Sequence, residues 1–363
     1  MPNPESPPQK NRLRTWLFRL AAGTLVPTAL LAATEFSLRL AGYGHPTGFL
    51  VPDPTHPAIA NGNEHFGLRF FPEHLSRSPR PLHTTYQKPD GTLRVVVLGG
   101  SAAMGDPDPA IGLPRMLQAV LEKRLPDKNI EVINAAMTAI NSHAVQAIAR
   151  DCTALDPDAF VVYMGNNEVL GPFGANTIFG DATPPATTVR ANLALRSTRL
   201  GQLLHNLTSS PPPTAKSSWR GMAMFLDQQV DLGSSSLETV RTNFLANLGS
   251  IARTGTPVVL STVASNLRDS PPFAGAAANT GFANATGLLN ENKTTAASNA
   301  FTLARDLDSL RFRTDTKLNA TITTFAADND LPLVDTVQLA AKNSPHGIPG
   351  RELFYEHVHL TPT

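Results

Sequence analysis

The feature that most constrains the fold is a run of β-branched residues that stops at two glycines. Residues 94–98 (RVVVL) lead into Gly99 and Gly100, and an apolar run without polar alternation is typical of a strand buried on both faces of a parallel sheet. Further apolar runs alternate with helical spacing along the chain. This alternation predicts an α/β fold, a three-layer doubly wound parallel sheet of the flavodoxin-like kind. The predicted strands are 94–98, 130–133, 160–164, 257–263 and 331–334, and the predicted helices are 110–123, 142–155, 237–252 and 296–327.

The segments between these elements have compositions that predict irregular structure. Residues 41–91 carry many Pro, His and Gly, and we expect them to form a linker and lead-in to a folded domain at 92–363. Inside that domain, residues 166–236 contain ATPPATT and SSPPPTAKSS, and residues 269–297 are rich in Ala, Asn, Thr and Gly. Both stretches are expected to be irregular insertions, because they exceed ordinary loop lengths.

The N-terminus predicts a membrane anchor. Basic residues within the first 19 positions precede an apolar run that carries no charge before Glu35, and residues 16–36 reach the roughly 20 residues that a spanning helix needs. Residues 1–15 are therefore expected in the cytoplasm, residues 16–40 as a signal anchor, and the remainder on the extracytoplasmic (periplasmic) side. A cleaved signal peptide and an amphipathic or buried helix are the alternatives.

Composition argues against several simple binding roles. Lys plus Arg number 30 against 29 Asp plus Glu, so no net field attracts nucleic acid. Cys152 is the only cysteine, which excludes an intrachain disulfide, and its helical context predicts a buried packing role rather than a reactive thiol. The ten histidines show no spacing for a three-ligand metal site. We expect no cofactor and no nucleic-acid partner.

Ser101 follows the two glycines at the end of the first predicted strand, within LGGSAAMGDPDP. Small neighbours leave the hydroxyl accessible, and the following helix can direct backbone N–H groups at a developing oxyanion. The segment has no P-loop lysine and no G-x-G-x-x-G, and Ala103 replaces the last glycine of a G-x-S-x-G elbow. Taken alone, this serine is equally consistent with an ordinary strand-to-helix turn.

Asn167 follows a second buried strand, within VVYMGNNEVLG. Its amide can donate a hydrogen bond to an oxyanion in any protonation state of the site. Asparagine in a turn is commonly only a turn former. Here the preceding strand is expected to lie near the one that ends at Ser101, so we predict an oxyanion-stabilising role.

The third group lies in FYEHVHLTP, near the end of the sequence. A carboxylate at Glu356 can reach Nδ1 of His359, fix its tautomer and stabilise the imidazolium that forms when a serine is deprotonated. His357 is the alternative base, although a supporting or surface position is the simpler expectation for it. His143 and His346 have no such partner and are expected to be structural or solvent-exposed.

These stretches together resemble the SGNH/GDSL hydrolases over about residues 92–363. The resemblance implies that Ser101 is the nucleophile and His359 the base, with Glu356 in place of the usual aspartate. In NAAMTAINS, Ala136 takes the position of a glycine that usually supplies a backbone N–H to the oxyanion hole. In GNNE, Asn167 takes the amide role, and Glu168 stands where aspartate is common; Gly100 stands where an acid often precedes the serine.

The activity implied by this resemblance is serine ester hydrolysis through an acyl-enzyme on Ser101. The oxyanion hole would be formed by the N–H groups of Ser101 and Ala136 and by Asn167, and His359 should lie within about 3 to 4 Å of Ser101 Oγ. The expected extracytoplasmic location and the resemblance to these hydrolases suggest that the substrates are O-acyl esters of carbohydrate or lipid. An acyltransferase to a sugar hydroxyl and a noncatalytic anchored binding or scaffold protein are the alternatives.

The sequence is more closely similar to a bacterial branch in which an anchored hydrolase domain precedes tetratricopeptide repeats. The segments SAAMGDPDP, INAAMTAINSH, YMGNNEVLGPFGANTIF and LRFRTDTKLN carry this similarity. In the family a final helix normally follows the base. We therefore expect the chain to be a fragment or a truncated product.

Overall fold

A computed structural model describes residues 10–179, 183–208 and 221–362. Its packing divides the chain into two units: residues 1–45 with 192–211, and residues 46–191 with 212–363. The strands are β1 (Leu50–Pro52), β2 (Ile59–Gly62), β3 (His83–Thr85), β4 (Thr92–Gly99), β5 (Asn129–Asn134), β6 (Ala159–Tyr163), β7 (Val258–Ser261) and β8 (Leu333–Val334). The helices are α1 (Lys10–Leu40), α2 (Ser101–Met104), α3 (Leu113–Arg124), α4 (Ser142–Cys152), α5 (Ala186–Arg196), α6 (Arg199–Thr208), α7 (Ser235–Ala252), α8 (Ala276–Asn290), α9 (Thr294–Asp306), α10 (Thr316–Asp328) and α11 (Thr336–Lys342).

The larger unit is built on a five-stranded parallel sheet with the order β5-β4-β6-β7-β8. Strand β4 lies between β5 and β6, with Val97 opposite Asn134 on one side and Val161 on the other. The predicted doubly wound parallel sheet is therefore confirmed. In such a sheet the strand order reverses beside the first strand, and the crevice for a ligand opens there, beyond the carboxyl ends of the strands.

The strand order also places the helices in layers. Parallel crossovers are almost always right-handed. The connection from β4 to β5 runs toward one edge of the sheet, so its helix α3 covers one face. The later connections run toward the opposite edge, so their helices cover the other face. Helix α7 accordingly packs against both α4 and α10, and α3 packs against β5. The apolar run of β4 is almost fully buried between these layers, as its lack of alternation indicated.

Residues 41–91, expected to be an irregular linker and lead-in, contain a small sheet among their turns and loops. Strands β1, β2 and β3 form an antiparallel sheet in that order. Four phenylalanines, Phe49, Phe66, Phe70 and Phe71, are buried in the same segment, and three of their rings are in contact. Their spacing follows neither a helical nor a strand period, so the sequence pattern did not show this apolar cluster.

The expected irregular insertion at 269–297 is also wrong, because α8 occupies most of it. This helix packs along α9, and Ala285 and Ala297 are fully buried beside Phe301. Alanine has the highest helix propensity and allows two helices to approach closely, so the small residues that suggested a loop instead form a tightly packed pair of helices.

The single predicted helix over 296–327 is divided into α9 and α10. Residues 307–315 between them carry buried ion pairs, Arg311 with Asp315 and Arg313 with Asp308. Asp315 also caps α10, since its side chain accepts a hydrogen bond from the Leu318 N–H at 2.7 Å. Buried charged groups need hydrogen-bond partners. Here the partners lie in the same segment, whose backbone is not helical, so α9 ends before it and α10 begins after it.

The expected insertion at 166–236 is partly helical. Helices α5 and α6 lie within it, and a 3-10 turn covers Gly221–Phe225. Residues 180–182 and 209–220 lie outside the described part of the chain, and the stretch SSPPPTAKSS falls there. The expectation of irregular structure is therefore wrong for residues 186–196 and 199–208.

In the smaller unit, α1 includes the segment predicted as an anchor. Among the described residues it is the one helix long and apolar enough to cross a membrane, over Arg14–Leu40. Its large apolar side chains are exposed, including Phe18 at 73% and Leu25 at 67%. Exposed apolar surface on this scale marks a membrane or protein contact.

Gly99 is predicted to be essential for stability, whereas Gly100 is not. A Cβ at position 99 would lie 2.1 Å from the Tyr163 carbonyl oxygen, and one at position 100 would lie 3.6 Å from its nearest neighbour, the Ile140 oxygen. Gly99→Ala should therefore cost at least about 2 kcal/mol through overpacking, and Gly100→Ala should cost much less. Thermal unfolding in detergent compares the two, and equal melting temperatures would contradict the close approach of β4 and β6.

Cys152 is predicted to be unreactive in the folded protein. Its side chain is fully buried at the end of α4, as the sequence indicated, and burial, together with the neighbouring Asp151 charge, raises the pKa of the thiol. Because the thiolate is the reactive form, a maleimide reagent should label Cys152 only after unfolding. Mass spectrometry before and after denaturant measures this, and rapid labelling of native protein would show that α4 opens.

Candidate active site

The serine turn and the Asn167 turn meet at the carboxyl edge of the sheet. Ser101 is the first residue of α2, directly beyond β4, and is 8% exposed. Asn167 follows β6, and a Cβ added to Gly100 would lie 3.9 Å from Asn167 Nδ2. The two predicted residues are therefore neighbours at the point where the strand order reverses.

Asn167 is held by its backbone, which leaves its amide free to donate. Its φ is +63°, in the left-handed region, where asparagine is tolerated better than most residues. Its N–H donates to the Phe312 carbonyl at 3.2 Å, and its own carbonyl accepts from the Gly171 N–H at 2.7 Å. The Asn167 amide group makes no hydrogen bond to any residue in the described ranges, so it can serve an oxyanion.

Ala136, the third predicted oxyanion donor, lies in the turn after β5. Its N–H donates to Asn134 Oδ1 at 3.3 Å, and Asn134 Nδ2 donates to the Met104 carbonyl at the end of α2 at 2.9 Å. The turn is thus tied to the serine helix. The Ala136 N–H is already engaged, although at the long end of hydrogen-bond distances.

Glu356 binds both histidines of the C-terminal motif. One carboxylate oxygen contacts His359 Nδ1 and the other contacts His357 Nδ1. Backbone N–H groups of the same loop also donate to it, from Val358 at 3.3 Å and from His359 at 3.1 Å. Burial alone would raise the pKa of Glu356, but the hydrogen bonds and charges of the two histidines hold this pKa well below its usual range. The carboxylate is therefore ionised and fixed.

His359 presents its second nitrogen without a partner. Nδ1 is held by Glu356, and Nε2 is buried with no hydrogen bond to the residues that the structure describes. Ser101 Oγ and His359 Nε2 are accordingly not hydrogen-bonded to each other, so the predicted contact at about 3 to 4 Å is not realised as a hydrogen bond. Catalytic hydrogen bonds of free enzymes often form fully only when substrate binds.

The loop that carries His359 is anchored on both sides. Within the loop, the Tyr355 N–H donates to the His359 carbonyl at 2.9 Å, and Phe354 pairs with Leu360 as an antiparallel bridge. From beyond β7, the buried Asn266 donates its Nδ2–H to the Glu356 carbonyl at 2.9 Å and its N–H to the His357 carbonyl at 3.0 Å. Sequence reasoning missed Asn266, since nothing distinguishes it from a loop asparagine.

His357 is buried rather than at the surface. Its ring meets Phe273 edge to face at 5.1 Å and Phe312 at 5.7 Å between ring centroids. Burial lowers the pKa of His357, and Glu356 only partly opposes this effect. Phe312 therefore touches both halves of the site, because its carbonyl accepts from Asn167 and its ring packs on His357.

A buried polar network lies behind Asn167. Glu168 accepts hydrogen bonds from Ser142 N–H at 2.7 Å and Ser142 Oγ–H at 2.8 Å. Asn247 Nδ2 donates to Ser142 Oγ at 3.0 Å and lies 3.1 Å from His143 Nδ1. Burial raises the pKa of Glu168 to about 8, although the hydrogen bonds from Ser142 oppose this. Sequence reasoning did not anticipate Ser142 or Asn247.

The two histidines set aside by the sequence have the expected environments. His143 is buried in this network, and burial, reinforced by the Arg190 charge, lowers its pKa to about 4, so it is neutral. His346 is exposed in the 3-10 turn Pro345–Gly347. Neither contacts the Ser101 turn in the described hydrogen-bond network.

No family model matches the sequence, and no curated protein matches it. Solved structures to which the chain is similar include an acetyl xylan esterase, with 14% identity, a TM-score of 0.38, and 74% of this chain and 92% of the other covered. A GDSL-like lipase from Bacteroides thetaiotaomicron has 14% identity and a TM-score of 0.33, with 74% and 80% covered. A lipase/acylhydrolase from Enterococcus faecalis has 15% identity and a TM-score of 0.33, with 74% and 87% covered.

The three predicted oxyanion-hole residues lie at the ends of neighbouring strands of the parallel sheet. Ser101 follows β4, Ala136 follows β5 and Asn167 follows β6, at the same edge of the sheet. Glu356 and His359 are in contact through His359 Nδ1.

The buried Glu168 carboxyl predicts a specific pH dependence of stability. Its pKa is about 8 in the folded chain and about 4.3 in an unfolded chain. The folded state therefore holds a proton that the unfolded state releases between these values, so the stabilisation present below about pH 4.3 is lost as the pH rises to about 8.

Glu168→Gln mimics the protonated form and removes this titration. The free energy of unfolding of the wild type, relative to that of Glu168→Gln, should fall by on the order of a few kcal/mol between pH 5 and pH 8. Chemical denaturation at several pH values measures the difference. Parallel pH profiles for the two proteins would show that Glu168 is ionised throughout.

Proposed function

We propose that this chain is a membrane-anchored serine ester hydrolase of the SGNH/GDSL type. Ser101 is the nucleophile, His359 the general base and Glu356 the residue that orients His359. The observation that carries this proposal is His359 itself, whose Nδ1 is bound by an ionised carboxylate while its buried Nε2 has no partner among the described residues. An imidazole held in this way is ready to accept a proton at Nε2.

The reaction begins when His359 Nε2 removes the proton from Ser101 Oγ as the oxygen attacks the ester carbonyl carbon. The imidazolium gives this proton to the leaving alcohol, and the acyl group remains on Ser101. A water molecule then attacks the acyl-enzyme, losing its proton to Nε2, and His359 returns that proton to Ser101 as the acid leaves. Glu356 stabilises the imidazolium in both steps.

The negative charge on the carbonyl oxygen is stabilised at the meeting point of the two turns. The Asn167 amide supplies one donor, and the Ser101 N–H at the start of α2 supplies another. The Ala136 N–H contributes once it exchanges its long hydrogen bond to Asn134 for the oxyanion. Donors in a largely water-excluded site act strongly, because solvent does not screen them.

The substrate is an O-acyl ester of an envelope carbohydrate or a lipid on the extracytoplasmic side. The apolar helix α1 supports this location, because it has the length and composition to anchor the chain. The basic residues before it favour a cytoplasmic N-terminus.

A fluorophosphonate probe tests the nucleophile and the base in the full chain. Wild type should be labelled at Ser101, and Ser101→Ala should not be labelled. His359→Ala and Glu356→Gln should lower the labelling rate and the hydrolysis of p-nitrophenyl acetate by about 10²- to 10⁴-fold, because activation of the hydroxyl is lost.

His346→Ala is the matched control, since it removes an exposed histidine outside the site. It should leave both rates unchanged. Well-folded wild-type protein without Ser101-dependent labelling would refute the proposed catalysis and leave a binding role. Loss of activity in His357→Ala together with full activity in His359→Ala would reassign the base.

A further inference from the structure

Helix α6 is attached to the end of α1 through Glu35. The Glu35 carboxylate accepts hydrogen bonds from the N–H groups of Arg199 at 3.1 Å and Leu200 at 2.8 Å, and it pairs with Arg39 at 2.7 Å. These N–H groups are among those that a helix leaves unsatisfied at its N-terminus. A carboxylate there is stabilised by the helix dipole, so α1 caps α6.

A second set of contacts fixes α6 against the chain that leaves α1. Gln202 accepts from the His45 N–H and donates to the His45 carbonyl, both at 3.0 Å. Asn206 Nδ2 donates to the Tyr43 hydroxyl at 3.0 Å. The chain turns past Gln202 at Gly44, whose φ of +70° is a conformation that side chains of other residues rarely adopt. Helix α6 is therefore held as part of one unit with α1.

The attachment point lies at the expected outer boundary of the bilayer. Residues 16–34 span about 28 Å as a helix, which is close to the roughly 30 Å thickness of the hydrocarbon core. Arg19 lies near the cytoplasmic end and can extend its side chain to that interface. Glu35, the next charged residue along α1, then falls at the extracytoplasmic interface, and α6 begins beside it.

Three leucines lie along one side of α6. Leu200, Leu204 and Leu207 are spaced as one helical face, separate from Gln202 and Asn206, which contact the chain after α1. Leu204 is 46% exposed and Leu207 is 74% exposed. Exposed leucines at this spacing on a short helix indicate a surface that contacts an apolar medium.

We infer that α6 is an interfacial helix whose leucine stripe inserts into the outer leaflet beside the anchor. The occupant is lipid, because the contacts to Glu35, Tyr43 and His45 hold the stripe within a few ångströms of the bilayer surface whenever α1 spans it. Arg39, which is exposed in the last turn of α1 and pairs with Glu35, lies at the expected depth of the lipid phosphate groups. Helices with an apolar stripe and basic flanks bind interfaces in this way. The inference rests on the anchor in the proposed function.

Depth-dependent quenching in vesicles tests this inference on the full chain. Single cysteines replace Leu204 or Leu207 in a Cys152→Ala background, carry a nitrobenzoxadiazole label, and are reconstituted into phosphatidylethanolamine and phosphatidylglycerol with lipids brominated high on the acyl chain. Both labels should be quenched at least about twofold relative to non-brominated vesicles, because the stripe lies among the upper acyl carbons.

Two further labels separate the possible failures. Leu30→Cys, in the apolar part of α1 and about 7 Å along the helix axis from Glu35, reports the anchor and should be quenched by lipids brominated near the middle of the acyl chain. His205→Cys, on α6 but off the stripe, should remain bright. Quenching at Leu30 without quenching at Leu204 or Leu207 would overturn the interfacial helix and leave the anchor intact. No quenching at Leu30 would overturn both, and fluorophosphonate labelling of the same sample would report catalysis separately.

Discussion

The site depends on the close approach of β4 and β6 at their carboxyl ends. The Gly99 backbone lies against the Tyr163 carbonyl, and no side chain fits between them. This contact brings Ser101, directly beyond β4, beside Asn167, beyond β6. This close contact explains why a residue without a side chain stands at position 99, just before the serine turn. A larger residue at position 99 would separate the strand ends, and with them Ser101 and Asn167.

The loops around this contact are held by buried polar groups rather than by secondary structure. Glu168 binds the first turn of α4 through Ser142, and Asn266 binds the backbone of the His359 loop. Removing one partner from such a bond leaves a buried group unsatisfied, which costs more than the bond itself contributes. The geometry at the sheet edge therefore depends on residues outside the proposed catalytic set.

The sequence was sufficient for features with a local signal. The buried strands gave continuous apolar runs, and the motifs at their ends could be placed on one edge of the sheet because parallel strands share that edge. The features that the sequence did not predict have no such local signal. The phenylalanines at 49, 66 and 70 form ring contacts that no periodic spacing in the sequence predicts. The helix over residues 276–290 is stabilised by packing on α9, which its loop-like composition does not reveal. Asn247 and Asn266 are single polar residues whose partners are distant in sequence.

The arrangement of Glu356 explains how one carboxylate can serve a site with two histidines. Its side chain folds back over its own loop and contacts both Nδ1 atoms, a reach that the extra methylene of glutamate over aspartate favours. The two imidazoles are nevertheless not equivalent. His357 lies between Phe273 and Phe312, and burial lowers its pKa and disfavours the imidazolium that a base must become. His359 packs against no phenylalanine ring among the described residues and has an unpartnered Nε2. The aromatic contacts of His357 instead connect the His359 loop to Phe312, whose carbonyl accepts a hydrogen bond from the Asn167 N–H, so the second histidine joins the Glu356–His359 loop to the Asn167 turn.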